Sequence, residues 1–273
     1  MYQNTVSVKI NCFKGFSYEE TLLGIKNAGF KYLELSTSKG NSLGLHKGMS
    51  KEELDNFKND LDKYGLKPIS IGGNSYIMED DKSNILANID IGNYLGCKYI
   101  VTTVFNARND GDSNTSDEDV VEHIKYYLPY LEKYNLDLVI ELHGLYATGK
   151  TMNRVLEKVN SKHVHINYDT GNALFWGKLN VEEMLSDFKE NINNISYMHL
   201  KDKLGAIDEW NFPAIGKGYI PVNDIMNIFD ENNNNSNISV EIEFTEKGVN
   251  DINEVYEALN YSAKYLSEIG LNI

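Results

Sequence analysis

The sequence predicts a single α/β domain that spans residues 1–273 and folds as a (β/α)8 barrel. Eight short apolar runs rich in Val, Ile and Tyr are separated by stretches with helical spacing. The runs follow one another at intervals of roughly 30 to 40 residues, the size of one βαβ unit. Eight such units match a barrel of about 250 residues. A doubly wound open sheet is the alternative, although no GxGxxG motif follows the first run, as a dinucleotide-binding sheet would require.

The eight runs are expected to be buried parallel strands, because each is short, continuous in apolar residues and bounded by turn residues. In chain order they cover residues 5–11, 32–35, 68–72, 99–103, 137–141, 164–168, 195–200 and 239–243.

Helices are expected between the strands. Ser17, Ser50 and Ser116 each precede an amphipathic stretch, and Ser17 has a Glu three residues on, as a capping box requires. Gly29 is expected to end the first helix, and residues 251–269 form the last.

Composition excludes several classes of partner. Asp and Glu number 40 against 26 Lys and Arg, which gives a net charge of −14, and the only arginines are Arg108 and Arg154. Nucleic-acid binding usually requires a basic surface, so no nucleic acid is expected. No run of about 18 apolar residues predicts a membrane span. Two cysteines form neither a disulfide framework nor a zinc spacing, which favours a reducing cytoplasm.

The last four strands each end in a residue that can bind a metal. These residues are Glu141, Asp169, His199 and Glu241. The carboxyl ends of barrel strands meet at one rim, where active sites lie. Three carboxylates and a histidine would repel one another there without a cation between them. We therefore predict a site for one divalent ion: Mn²⁺, Mg²⁺, Co²⁺ or Zn²⁺.

The sequence motifs at these strand ends resemble those of a known superfamily. They are VIELH (139–143), NYDTGN (167–172), YMHLKD (197–202), GKG (216–218) and SVEIE (239–243). In this order they resemble the xylose isomerase-like TIM barrels, the sugar phosphate isomerase/epimerase group, over essentially the whole chain.

The resemblance implies a metal-dependent isomerase or epimerase of a sugar, polyol or keto-acid derivative. Glu141, Asp169, His199 and Glu241 would be the ligands, with Glu243 as the rival of Glu241. Glu141 and Glu241 would transfer the proton through an enediolate that the metal stabilises. The resemblance leaves open whether the chain forms a homo-oligomer.

Five residues are candidates for substrate binding. Glu34 matches an acidic position of the superfamily and would orient a substrate hydroxyl. His143 would contact a hydroxyl or support a ligand, and Lys201 would neutralise an oxygen or stand at the rim. Arg108 would meet an anionic group or remain a loop cation, and Trp176 would form a pocket wall or pack in the rim.

Three other functions compete with the isomerase. Lys201 and His143 match positions of inosose and 3-dehydroshikimate dehydratases, so a metal-dependent dehydratase is the main alternative. Many relatives, including ketohexose 3-epimerases and endonuclease IV, carry DxxH where this chain has Asn172, which argues against both of those branches. A non-catalytic sugar-binding protein is the third alternative, but it would not need four convergent ligands.

Overall fold

The computed structural model describes residues 2–73, 75–106 and 114–273, and eight parallel strands close a barrel within them. The last barrel strand pairs with the first, Val8 lying opposite Val240. This closure confirms the predicted (β/α)8 barrel and makes the open sheet wrong. The barrel strands are β1 (Val6–Lys9), β2 (Tyr32–Ser36), β3 (Lys67–Gly72), β4 (Tyr99–Thr103), β5 (Asp137–Glu141), β6 (Val164–Asp169), β7 (Ile195–Leu200) and β9 (Asn237–Val240).

Helices follow the strands around the outside of the barrel. Ser17, Ser50 and Ser116 cap their helices as predicted, each with a reciprocal bond to an acidic side chain three residues on. No helix in the described ranges has the length and apolar character that crossing a bilayer requires. The helices are α1 (Tyr18–Asn27), α2 (Lys51–Tyr64), α3 (Ser83–Leu95), α4 (Asp117–Tyr134), α5 (Gly149–Val159), α6 (Thr170–Phe175), α7 (Val181–Glu190), α8 (Val222–Glu231) and α9 (Ile252–Glu268).

The first and last barrel strands end earlier than predicted. β1 stops at Lys9, where a 3-10 turn over Ile10–Phe13 begins, and β9 stops at Val240. Beyond Val240 the chain leaves the barrel and pairs with the segment that follows β7. A two-stranded antiparallel ribbon results, formed by β8 (Asn211–Phe212) and β10 (Phe244–Thr245). This ribbon carries Phe212 to the rim of the barrel.

The barrel interior differs from its exterior. The main apolar core lies between the strands and the helices, whereas a small separate cluster contains Tyr99, Val101, Val139 and Tyr197. Tyr197 on β7 hydrogen-bonds both Glu34 on β2 and Ser70 on β3, strands that do not adjoin β7, so its ring crosses the interior. The interior therefore becomes polar toward the carboxyl end of the barrel.

Candidate metal centre

The four ligands expected from the sequence converge at the carboxyl ends of their strands. Glu141, Asp169 and His199 stand on β5, β6 and β7, and Glu241 directly follows β9. One candidate ligand atom from each lies within 4.8 Å of all the others, and all four side chains are buried. Parallel strands deliver these residues to one rim, as the barrel geometry requires.

His199 presents one ring nitrogen to the other three ligands. Its Nδ1 lies 3.0 Å from Glu241 Oε2, 3.4 Å from Glu141 Oε2 and 3.7 Å from Asp169 Oδ2. Its Nε2 faces the opposite way. The four residues thus offer three carboxylate oxygens and one nitrogen around a common centre.

Two of these oxygens accept no well-formed hydrogen bond. Asp169 Oδ2 and Glu241 Oε2 are buried, with the His199 ring beside them in poor hydrogen-bond geometry. A buried anionic oxygen left unpaired is costly, and native proteins rarely tolerate one. Both oxygens point at the centre of the cluster, so the residues fit a cation there. Their three oxygens and one nitrogen suit Mn²⁺, Mg²⁺, Co²⁺ or Zn²⁺.

Two lysines also reach the cluster. Lys9 Nζ lies 2.8 Å from Glu241 Oε1 and 3.6 Å from Glu141 Oε2. Lys201 Nζ pairs with Glu243 and lies 3.8 Å from Asp169 Oδ2. In the described part of the chain, two ammonium groups thus face the five carboxylates Glu34, Glu141, Asp169, Glu241 and Glu243. A divalent cation reduces this excess of negative charge.

The electrostatics of the cluster show in the pKa values of its members. Burial raises the pKa of Glu141, but Lys9 and His199 outweigh burial and lower that pKa to about 2. Burial opposes protonation of His199, yet the nearby carboxylates, Glu34 foremost, raise its pKa well above the usual range. Burial also raises the pKa of Asp169. Without a metal, a protonated His199 and the two lysines hold the carboxylates together.

Two asparagines fix the orientation of the ligands. Asn172 donates its amide to Glu141 Oε1 at 3.1 Å and its backbone N–H to Asp169 Oδ1 at 2.7 Å. Asn11, just beyond β1, donates to Glu241 Oε1 at 2.8 Å and to Glu243 Oε1 at 3.4 Å. The carboxylate oxygens that these amides hold are therefore separate from the unpaired oxygens that point inward.

The five predicted substrate-binding residues have different surroundings. Glu34 is buried against His199 and Tyr197. The His143 ring packs on that of Trp176, with centroids 4.7 Å apart. Lys201 is buried within the cluster. Arg108 lies outside the described residues.

Aromatic side chains form one wall beside the ligands. Trp176 directly follows α6, and its neighbour Phe175 contacts Trp210 and Phe212 edge-on. Lys201 Nζ lies 4.5 Å from the ring centroid of Phe212, at a distance typical of a cation–π contact. The wall is therefore attached to the ligand cluster through Lys201.

Three residues that shape the site were not predicted from the sequence. Asn11 ends the first apolar run, so the strand-end rule that identified the four ligands also applies to it, whereas Lys9 lies inside that run at the true end of β1. Asp202 follows β7 and accepts four backbone N–H groups, from the neighbouring Lys203 and from the following loop at Gly216, Gly218 and Ile220. A Cβ at Gly218 would overlap Asp202 Oδ1, so this close approach requires glycine.

Comparisons with known proteins agree with this architecture. The model of the family described as xylose isomerase-like TIM barrel matches residues 24–268. No curated protein matches the sequence. Among solved structures, D-psicose 3-epimerase in the presence of D-fructose is 13% identical, with a TM-score of 0.74 over 97% of this chain and 99% of its own.

Two further structures resemble the chain. The IOLI protein with a bound zinc atom is 16% identical, with a TM-score of 0.74 over 97% of both chains. The probable 3-DHS dehydratase AsbF, involved in petrobactin synthesis in Bacillus anthracis, is 15% identical, with a TM-score of 0.71 over 96% of this chain and 98% of its own. At these identities each likeness shows a shared fold.

Proposed function

The chain belongs to the xylose isomerase-like TIM barrel family, and from that premise we propose that it is a divalent-metal-dependent isomerase or epimerase of a sugar, polyol or keto-acid derivative. One observation carries the proposal. Glu141, Asp169, His199 and Glu241 gather their ligand atoms within 4.8 Å, and two of their buried oxygens accept no well-formed hydrogen bond. A sugar-binding protein has no need for such a cluster.

The site residues suit proton transfer beside a carbonyl group. When bound, a divalent metal supplies Lewis-acid chemistry that polarises a carbonyl oxygen. Glu141 and Glu241 are the carboxylates that take and return the carbon-bound proton. Glu141 is the most open of the four ligands, at 9% exposure. A positioned base of this kind contributes roughly 10²–10⁴-fold to a rate.

The two lysines and the aromatic wall complete the site. Lys9 contacts both candidate bases, and its positive charge reduces the repulsion between the two carboxylates. Lys201 balances the negative charge that develops on a substrate oxygen when the proton leaves. The partly exposed ring of Trp176 offers an apolar face to the C–H groups of a sugar, and together with the buried Phe212 it keeps bulk water from the bases.

Metal analysis and solvent exchange test the proposal together. We expect about one equivalent of divalent metal per chain in the purified protein, and its loss in Glu141→Gln and Asp169→Asn. Glu257→Gln, the same change at an exposed position on α9, serves as control. Incubating ketoses and inososes with the metal-loaded protein in D₂O should place deuterium at the carbon beside the carbonyl. A protein that takes up no Mn²⁺, Co²⁺ or Zn²⁺ would refute the proposal.

A metal-dependent dehydratase is the second candidate. It is favoured by Lys201, a cation buried against Asp169 and Glu243 whose position matches the dehydratase branch, and by the fold shared with AsbF. The two reactions differ in their products. An isomerase or epimerase returns a product of unchanged mass, whereas a dehydratase releases one water. Mass spectrometry after incubation with inososes and dehydroshikimate therefore separates them.

A further inference from the structure

Glu34 contacts the candidate ligand His199 at the ring nitrogen that faces away from the other three ligands. Its Oε1 and Oε2 lie 3.1 and 3.0 Å from Nε2 of His199, and Oε2 also accepts the hydroxyl of Tyr197 at 2.7 Å. Glu34 is 1% exposed. Both carboxylate oxygens are thus engaged inside the protein, and neither is open to solvent.

Both ring nitrogens of His199 face carboxylates: Nε2 faces Glu34, and Nδ1 faces Glu141, Asp169 and Glu241. Since a carboxylate can only accept hydrogen bonds, Glu34 holds the proton of Nε2. An ion bound among the other three carboxylates would take the lone pair of Nδ1. Glu34 therefore favours the tautomer that can bind a metal.

A second bond holds Glu34 itself in place. Because the Tyr197 hydroxyl donates to Glu34, the Ser70 hydroxyl must donate to Tyr197, at 2.6 Å. Ser70, Tyr197, Glu34 and His199 thus form a buried chain across the barrel interior, and each member stands on a rigid strand.

We propose that Glu34, held by Tyr197, is a positioning residue that orients His199 for the metal rather than a residue that binds substrate. This inference rests on the proposed function, because it concerns the same metal site. Hydrogen-bond partners of ligating histidines typically contribute 10- to 100-fold to metal affinity.

Titration with Co²⁺, followed by its visible absorption, tests the inference without a substrate. We expect Glu34→Gln to weaken Co²⁺ binding 10- to 100-fold and to change the absorption spectrum of the bound ion. Tyr197→Phe, which removes a hydroxyl but no charge, should weaken binding several-fold. Glu257→Gln on α9 is the control, because it makes the same change at an exposed position.

The outcomes separate this inference from the proposed function. A wild-type protein that binds no Co²⁺ refutes both. Wild-type binding that Glu34→Gln and Tyr197→Phe leave unchanged overturns the positioning role alone. A loss in Glu34→Gln with Tyr197→Phe unaffected also overturns it, because charge would then account for the effect. If Glu34→Gln does not fold, as judged by far-UV circular dichroism, the spectrum and affinity of Tyr197→Phe decide.

Discussion

Replacing Asp202 by Asn should destabilise the barrel strongly through the loop that follows β7. In the wild type, Asp202 Oδ1 accepts the N–H groups of Lys203 and Ile220 at 2.8 and 3.1 Å. Oδ2 accepts those of Gly216 and Gly218, both at 2.8 Å. Asparagine has only one acceptor oxygen, so its amide must face one of these pairs of donors. Two N–H groups then lose their acceptor beside a fully buried side chain.

Each unsatisfied buried donor costs about 1–3 kcal/mol, so we expect Asp202→Asn to lower the free energy of unfolding by about 2–6 kcal/mol. This loss is a large fraction of the total free energy of unfolding of a typical protein, which is about 5–15 kcal/mol. Urea unfolding followed by circular dichroism measures the difference. Asp230→Asn, the same change at an exposed position of α8, is the control. A loss below about 1 kcal/mol, equal to that of the control, would show that the four bonds do not hold the loop.

Three further changes test other parts of the structure. Lys9→Met should tighten Mn²⁺ binding tenfold or more in a calorimetric titration, because Lys9 already neutralises Glu241 and Glu141 and would repel a second cation beside them; weaker binding would contradict this. Asn172→Asp places a carboxylate against Glu141, so the melting temperature of the metal-free protein should fall and recover with added metal. Hydrogen bonds from Arg154 and Tyr146 outweigh burial and lower the pKa of Asp117. The stability difference between wild type and Asp117→Asn in urea should thus be full above pH 4 and shrink as pH falls through that lowered pKa; a constant difference would contradict the pairing.

The sequence predicted the fold and the four candidate ligands because both depend on regular patterns. Strands and helices alternate with the spacing of one βαβ unit. A residue at the end of a barrel strand, such as Glu141 or His199, lies at the rim however the surrounding helices pack. Lys9 escaped prediction because the apolar run around it continues to Asn11, which hid the true end of β1. The partners of Asp202 are backbone N–H groups of a loop, and the glycines of that loop, Gly216 and Gly218, do not reveal which side chain their N–H groups contact.

Glu34 shows at a single side chain that a sequence does not reveal which residues will be in contact. Its position at the end of β2 was visible in the sequence, and so was its chemistry as a carboxylate. Its partner was not, because Tyr197 and His199 lie more than 160 positions away in the chain. Only the closure of the barrel determines that these side chains meet inside it.

Lys9, at the end of β1, has a consequence for the order in which the protein folds and binds its metal. Many small metalloproteins fold only when their ion arrives, because their ligands cannot tolerate one another beforehand. Here Lys9 is an internal counterion, 2.8 Å from Glu241. We therefore expect synthesis, folding and metal loading to be separable events. A chelated sample should keep its native circular dichroism spectrum, so that the ion can be exchanged for another without refolding the chain.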